Sequence, residues 1–123
     1  MKLCNYLLVS EAFNVQRTHL EEKLEISFSI KNSVAKKEER NLRPVLHDCS
    51  CTITSEGNKD DTIFTMKLCY AVWIGKDHNE MALEESSLSS YVASVLKPLV
   101  HAEINACLAK VRLPAIAYER LDW

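Results

Sequence analysis

The chain has 123 residues, 47% apolar and 26% charged, which is a globular composition with enough apolar material for one core, and one domain over residues 1–123 is expected. Fifteen Lys and Arg against seventeen Asp and Glu leave a net charge of −2, so no basic surplus exists to neutralise a nucleic-acid backbone or an anionic membrane. Two glycines exclude a Gly-rich phosphate loop, and five cysteines, an odd number too small for a disulfide scaffold, fit a reducing, cytoplasmic setting.

In chain order, the apolar string Leu3–Val9 is broken by Asn5 and followed by Glu11, which does not read as a signal peptide. No other apolar run approaches the roughly 20 residues of a membrane span. Over Leu20–Ile30 the residues Leu24, Ile26, Phe28 and Ile30 alternate with Glu25, Ser27 and Ser29, the period of a half-buried strand. The polar stretch Asn32–Arg43 carries the mixed-sign run KKEER and reads as an exposed connection or a short solvated helical turn. A second strand is expected over Val45–Thr54, with Cys49, Cys51 and Ile53 on one face. A third comes over Thr62–Ile74, with Phe64, Met66, Leu68, Tyr70, Val72 and Ile74 on one face and Thr65, Lys67, Cys69, Ala71 and Trp73 on the other. Apolar residues on both faces near its end predict a central strand covered on both sides. The short link Glu56–Asp60 makes strands two and three an antiparallel hairpin.

After a polar loop over Gly75–Glu85, Ser86 or Ser87 is placed to cap a helix whose apolar residues, from Leu88 through Leu96 and Ile104 to Val111, recur at three and four. Pro98 predicts a kink or break near Ser94–Lys97, and Pro114 ends the helical region before the apolar tail Ala115–Trp123. Strands first and helix last give an α+β fold, an antiparallel sheet with a long kinked C-terminal helix on one face.

Three chemistries are conceivable on these residues. His47, Cys49 and Cys51 alternate on one strand face, and Cys69 on the paired strand would complete four zinc ligands. Strand neighbours about 6.6 Å apart are awkward for one ion, so small buried thiols are the simpler reading and no metal is assigned. Cys–His nucleophile pairs drawn from Cys49, Cys69 or Cys107 with His47, His78 or His101 have no distinguishing spacing. His101 and Glu103 read as a solvated helix face, and no enzymatic activity or cofactor is expected. The acidic pairs Glu84–Glu85 and Asp60–Asp61 are explained by a helix start and a turn.

The stretch LKPLVHAEINACLAKVRLPAIAYERL, Leu96–Leu121, resembles the C-terminal signature of the SecB protein-export chaperone family, in which a Leu-x-Pro enters a helix and a second x-Pro ends it. Pro98 and Pro114, sixteen residues apart, agree with that pattern without a gap, and Ile104, Leu108 and Leu113 fall on its apolar positions. FNVQR at Phe13–Arg17 is similar to the family's N-terminal segment, whereas Val111 and Arg112 stand where the family usually places a Gly. The resemblance implies an ATP-independent holdase that binds non-native polypeptides, forms a homo-oligomer built as a dimer of dimers, and serves the export motor. A dedicated adaptor for one partner, such as an antitoxin or a regulatory protein, is the alternative. Phe13, Phe28, Tyr70, Trp73, Tyr118 and Trp123 are the expected client contacts, as apolar groups near sheet edges or chain ends.

Overall fold

The structure is a computed structural model and describes residues 1–16, 23–76 and 84–123. It contains β1 (Lys2–Val15), β2 (Leu24–Val34), β3 (Leu42–Ser55), β4 (Asn58–Gly75), the helix α1 (Glu85–Lys110) and a short 3-10 turn, Tyr118–Arg120. The strands form one antiparallel sheet in the order β1-β4-β3-β2. Residues 20–22 of the first predicted strand, Arg17, His78 and most of the Gly75–Glu85 loop lie outside the described residues.

The sheet has one strand more than the periodicity predicts. Lys2–Val15, which reads only as an apolar string, is the edge strand β1 along the central β4. Its alternation is lost at two register shifts, between Leu3 and Asn5 and between Leu8 and Ser10, and each shift flips the phase of the residues C-terminal to it. The polar stretch Asn32–Arg43 also differs from expectation. Its first residues finish β2, and Arg40 and Asn41, at φ +53° and +64°, form a tight turn closed by Glu39–Leu42 backbone bonds. The β3–β4 link is shorter than expected: Ser55 already faces Asn58, with Gly57 at φ +78°, a conformation that excludes most L side chains although nothing crowds the site.

One face of this sheet is the core. The phase Phe64, Met66, Leu68, Tyr70, Val72 and Ile74 of β4 lies beside Val45, His47, Cys49, Cys51 and Ile53 of β3, all buried. Above them α1 lays Leu88, Val92, Leu96, Val100, Ile104, Cys107 and Leu108, a row at four- and three-residue spacing. By length and composition α1 would suffice to cross a membrane, which the short unbroken apolar runs of the sequence do not suggest. Here that apolar row is spent on the sheet. The helix starts at Glu85, without the side-chain cap expected from Ser86 or Ser87, and continues through Pro98 without the predicted break. Pro98 and Ser94, whose carbonyl loses its helical partner, both lie on the exposed side of the helix, where solvent reaches that carbonyl.

The helix ends just before Pro114, as expected, through a specific exit. Arg112 N–H donates to the Ala109 carbonyl and Leu113 N–H to that of Leu108, with Arg112 at φ +61°. This is the paired-bond cap that normally carries a glycine, here carried by an arginine. The tail then folds back. Asn105 brackets Ile116 by accepting from its N–H at 2.8 Å and donating to its carbonyl at 3.1 Å, while His101 Nε2 donates to the same carbonyl at 2.6 Å. His101 is thus a tail clamp, not part of a solvated face.

Candidate functional site

The sheet has a second face, and α1 does not cover it. Reading across the strands β1, β4, β3 and β2, its rows are Asn5–Trp73–Pro44, Leu7–Ala71–Leu46–Ser33, Ser10–Cys69–Asp48–Lys31, Ala12–Lys67–Ser50–Ser29 and Asn14–Thr65–Thr52–Ser27. The expectation that β4 is covered on both sides is therefore not met by the described residues. The first two rows are apolar except for Asn5 and Ser33 and the rest are polar except for Ala12, so the open face divides into two halves across its strands.

The apolar half carries the site. Leu7 is 58% and Leu46 46% exposed, although both lie within regular strands. Around Leu46 and Ala71 lies a concavity of about 430 Å³, walled by Trp73, Pro44, Val34 and Ala35. Large aliphatic groups left in water on one sheet face form an exposed apolar patch of the kind that partner-binding surfaces present. Strand β1 bounds this half, and its outer backbone edge is unpaired among the described residues. On the helix side of the same strand Tyr6 and Phe13 are also exposed, Phe13 stacking on Phe64 at 6.3 Å between ring centroids. Farther along the open face, a second concavity of about 320 Å³ is lined by Ser29, Ser50, Asp48, Lys31 and Lys67.

The six residues expected at a client site fall in separate places. Trp73 walls the open-face groove and Phe13 sits on the β1 rim. Tyr70 is buried beneath α1, where loss of solvation, with Glu103 and Glu11 adding to it, holds its phenol above the usual range. Phe28 and Trp123 meet edge to face at 5.4 Å, and Trp123 Nε1 donates to the Ala93 carbonyl at 3.3 Å, so this pair latches the tail across α1 onto β2. Tyr118 packs edge-on against His101 at 5.4 Å with Lys97 over its ring at 4.8 Å. Leu7, Leu46, Pro44 and Ala71 do not stand out in the sequence as site residues. Leu46 carries a legible signal, because it shares a phase with Asp48, Ser50 and Thr52 and is the apolar member of a polar set.

The zinc geometry dissolves on the sheet. His47, Cys49 and Cys51 do share the helix-side face, whereas Cys69 pairs with Asp48 on the open face and points away from them. Burial pushes the Cys49 and Cys51 thiols up to about 12, as expected of small thiols inside an apolar layer. The His47 ring is fully buried. Asn32 donates from Nδ2 to the Ser89 carbonyl at 3.0 Å, so its Oδ1 accepts from His47 Nδ1–H at 2.6 Å, and His47 Nε2 faces no partner among the described residues. Burial lowers the His47 pKa, with Asp48 opposing. A different trio, Glu11, Glu103 and Cys107, holds its ligand atoms within 4.8 Å of one another. The Cys107 thiol donates to Glu11 and is pushed up to about 12, first by burial and then by that bond. A hydrogen bond with Glu11, followed by burial and the Glu11 charge, raises the Glu103 carboxyl above its ordinary value.

With this geometry in hand, comparison with known proteins is informative at the level of structure alone. No family model matches the sequence, and no curated protein matches it. Among solved structures, a Mycobacterium tuberculosis SecB-like chaperone, in complex with a ChAD peptide from an antitoxin, superposes with a TM-score of 0.73 over 94% of this chain and 86% of that one, at 15% identity. The chain has the SecB-like fold. A protein of unknown function from Streptococcus agalactiae matches more loosely, with a TM-score of 0.44 and 10% identity over 99% of this chain and 96% of that one. The SecB-like arrangement agrees with the resemblance read from Leu96–Leu121 and with the α+β order of elements.

Proposed function

We propose that this chain is a SecB-like polypeptide-binding chaperone that holds extended apolar segments of non-native proteins without ATP. The observation that carries the reading is the open-face groove, where Leu46, Ala71, Trp73 and Pro44 form an apolar concavity on a rigid sheet next to the exposed Leu7. Such a surface takes apolar side chains of many sequences. It needs no cofactor and no reactive group. The five unpaired cysteines suit a reducing cytoplasm, and a place beside the export motor is part of the same reading.

Assembly into a homo-oligomer, as a dimer of dimers, belongs to this proposal. The exposed face of α1 carries Ser86, Ser90, Ser94, Pro98, Ala102 and Ala106 at successive four-residue steps, small enough for a second copy to approach closely. Light scattering checks the mass.

A dedicated adaptor is the second reading, and the size of the groove favours it. About 430 Å³ accommodates a few side chains, not a long unfolded segment. Aggregation of a chemically unfolded, unrelated protein, diluted with and without this one, separates the two. Suppression near one subunit per client supports the general holdase. A folded protein that suppresses nothing yet captures a single peptide supports the adaptor, and one that does neither removes both.

A further inference from the structure

The open face has a polar half as well as an apolar one, and the two are held at fixed spacing by the same strands. Leu46, on the floor of the apolar groove, and Ser50, on the floor of the second concavity, are four residues apart on β3, about 13 Å along an extended strand. Ser50 lies beside Lys67 of β4 in register and diagonally from Lys31 of β2. Both lysines line the second concavity, and neither has an ion-pair partner among the described residues. The single carboxylate there is Asp48, opposite Lys31 in register and engaged by the Cys69 thiol. Two ammonium groups and two serine hydroxyls therefore face one acid, and the charge balance of the concavity is positive.

Resting on the groove reading above, we infer that the bound segment is an extended peptide that combines an apolar anchor over Leu46 and Ala71 with an acidic side chain four residues away, over Ser50 between Lys31 and Lys67. The spacing comes from strand geometry. An extended peptide lying along β3 rises about 3.3 Å per residue and directs alternate side chains to the sheet, so positions 0, +2 and +4 all face it. Position +2 then covers Asp48 and Cys69 and takes a small or neutral residue. The surface thus selects by charge pattern as well as by apolarity, with the anchor giving affinity and the lysines giving choice.

The test uses the full-length protein and fluorescein-labelled peptides sharing one Trp anchor, with Glu, Gln or Lys four residues away on either side, read by anisotropy at low salt. In one of the two directions the Glu peptide is expected to bind about fivefold tighter than the Lys peptide, as two partly exposed ion pairs imply, and added salt should narrow the gap. Lys67→Glu should reverse the order, and its exposed position leaves folding intact. If all three peptides bind alike and Lys67→Glu changes nothing, while Leu46→Glu still abolishes binding, the charge selection is wrong and the groove reading stands. If no peptide binds, both fall together.

Discussion

The two faces of β3 and β4 share one backbone and differ in almost everything else. Under α1, Phe64, Val72, Ile74 and the helix row Leu88–Leu108 are sealed, and the polar group that intrudes, His47, is tied to Asn32 and through it to Ser89. On the other side Leu46 and Leu7 are about half exposed and nothing among the described residues covers them. The contrast separates two uses of apolar residues in one sheet. The covered face supplies the stability that lets the open face keep its aliphatic groups in water.

The difference can be broken most forcefully from the covered side. Phe64→Ala should cost about 3–5 kcal/mol, and Ile104→Ala about 2–5 kcal/mol, because each leaves a cavity in a sealed layer; denaturant melts monitored by circular dichroism measure both. On the open face, Leu46→Glu should leave stability within about 1 kcal/mol of the parent while lowering affinity for an apolar peptide at least about tenfold. Equal losses of stability at the two sites would erase the distinction between the faces.

Acid sharpens the same comparison. The folded His47 pKa lies below the ordinary 6.5, so the unfolded chain binds the extra proton and stability is fully present above that value. It should fall as pH drops from about 6.5 toward the folded value, and His47→Gln should flatten that part of a stability–pH profile. Glu103 has the opposite sign. Its carboxyl is raised above 4.5 by the bond to Glu11, so its contribution is present in acid and lost as pH rises, and Glu103→Gln should give a small gain near neutrality, visible as a slightly higher Tm. Arg112→Gly is expected to stabilise by about 1 kcal/mol, because glycine adopts the left-handed exit of α1 without strain.

Much of the covered side is legible in the sequence, because burial on one face writes a clean period. The phase Phe64 to Ile74, the helix row from Leu88 and the stop before Pro114 all occur where periodicity places them. β1 is not legible, since an edge strand with two register shifts and mostly exposed residues leaves no period to read. The open-face site is legible only in fragments. Trp73 announces itself as an aromatic on the second face of a central strand. Leu7, Pro44 and Ala71 join it only when β1 and β3 are laid in register, information that pairing supplies and alternation does not. Aromatic content is a poor guide to position, as Tyr70 lies in the core and the Phe28–Trp123 pair latches the tail.

The central claim is that the open face binds polypeptide, and backbone amide chemical-shift mapping tests it residue by residue. Titrating the uniformly labelled protein with a Trp-anchored extended peptide should shift the amides of Ala35, Leu46, Ala71 and Trp73 together, and leave those of the α1 stripe Ser90, Ser94 and Ala102 in place. Shifts confined to the α1 stripe or the Tyr118 tail, with the groove amides unmoved, would contradict it.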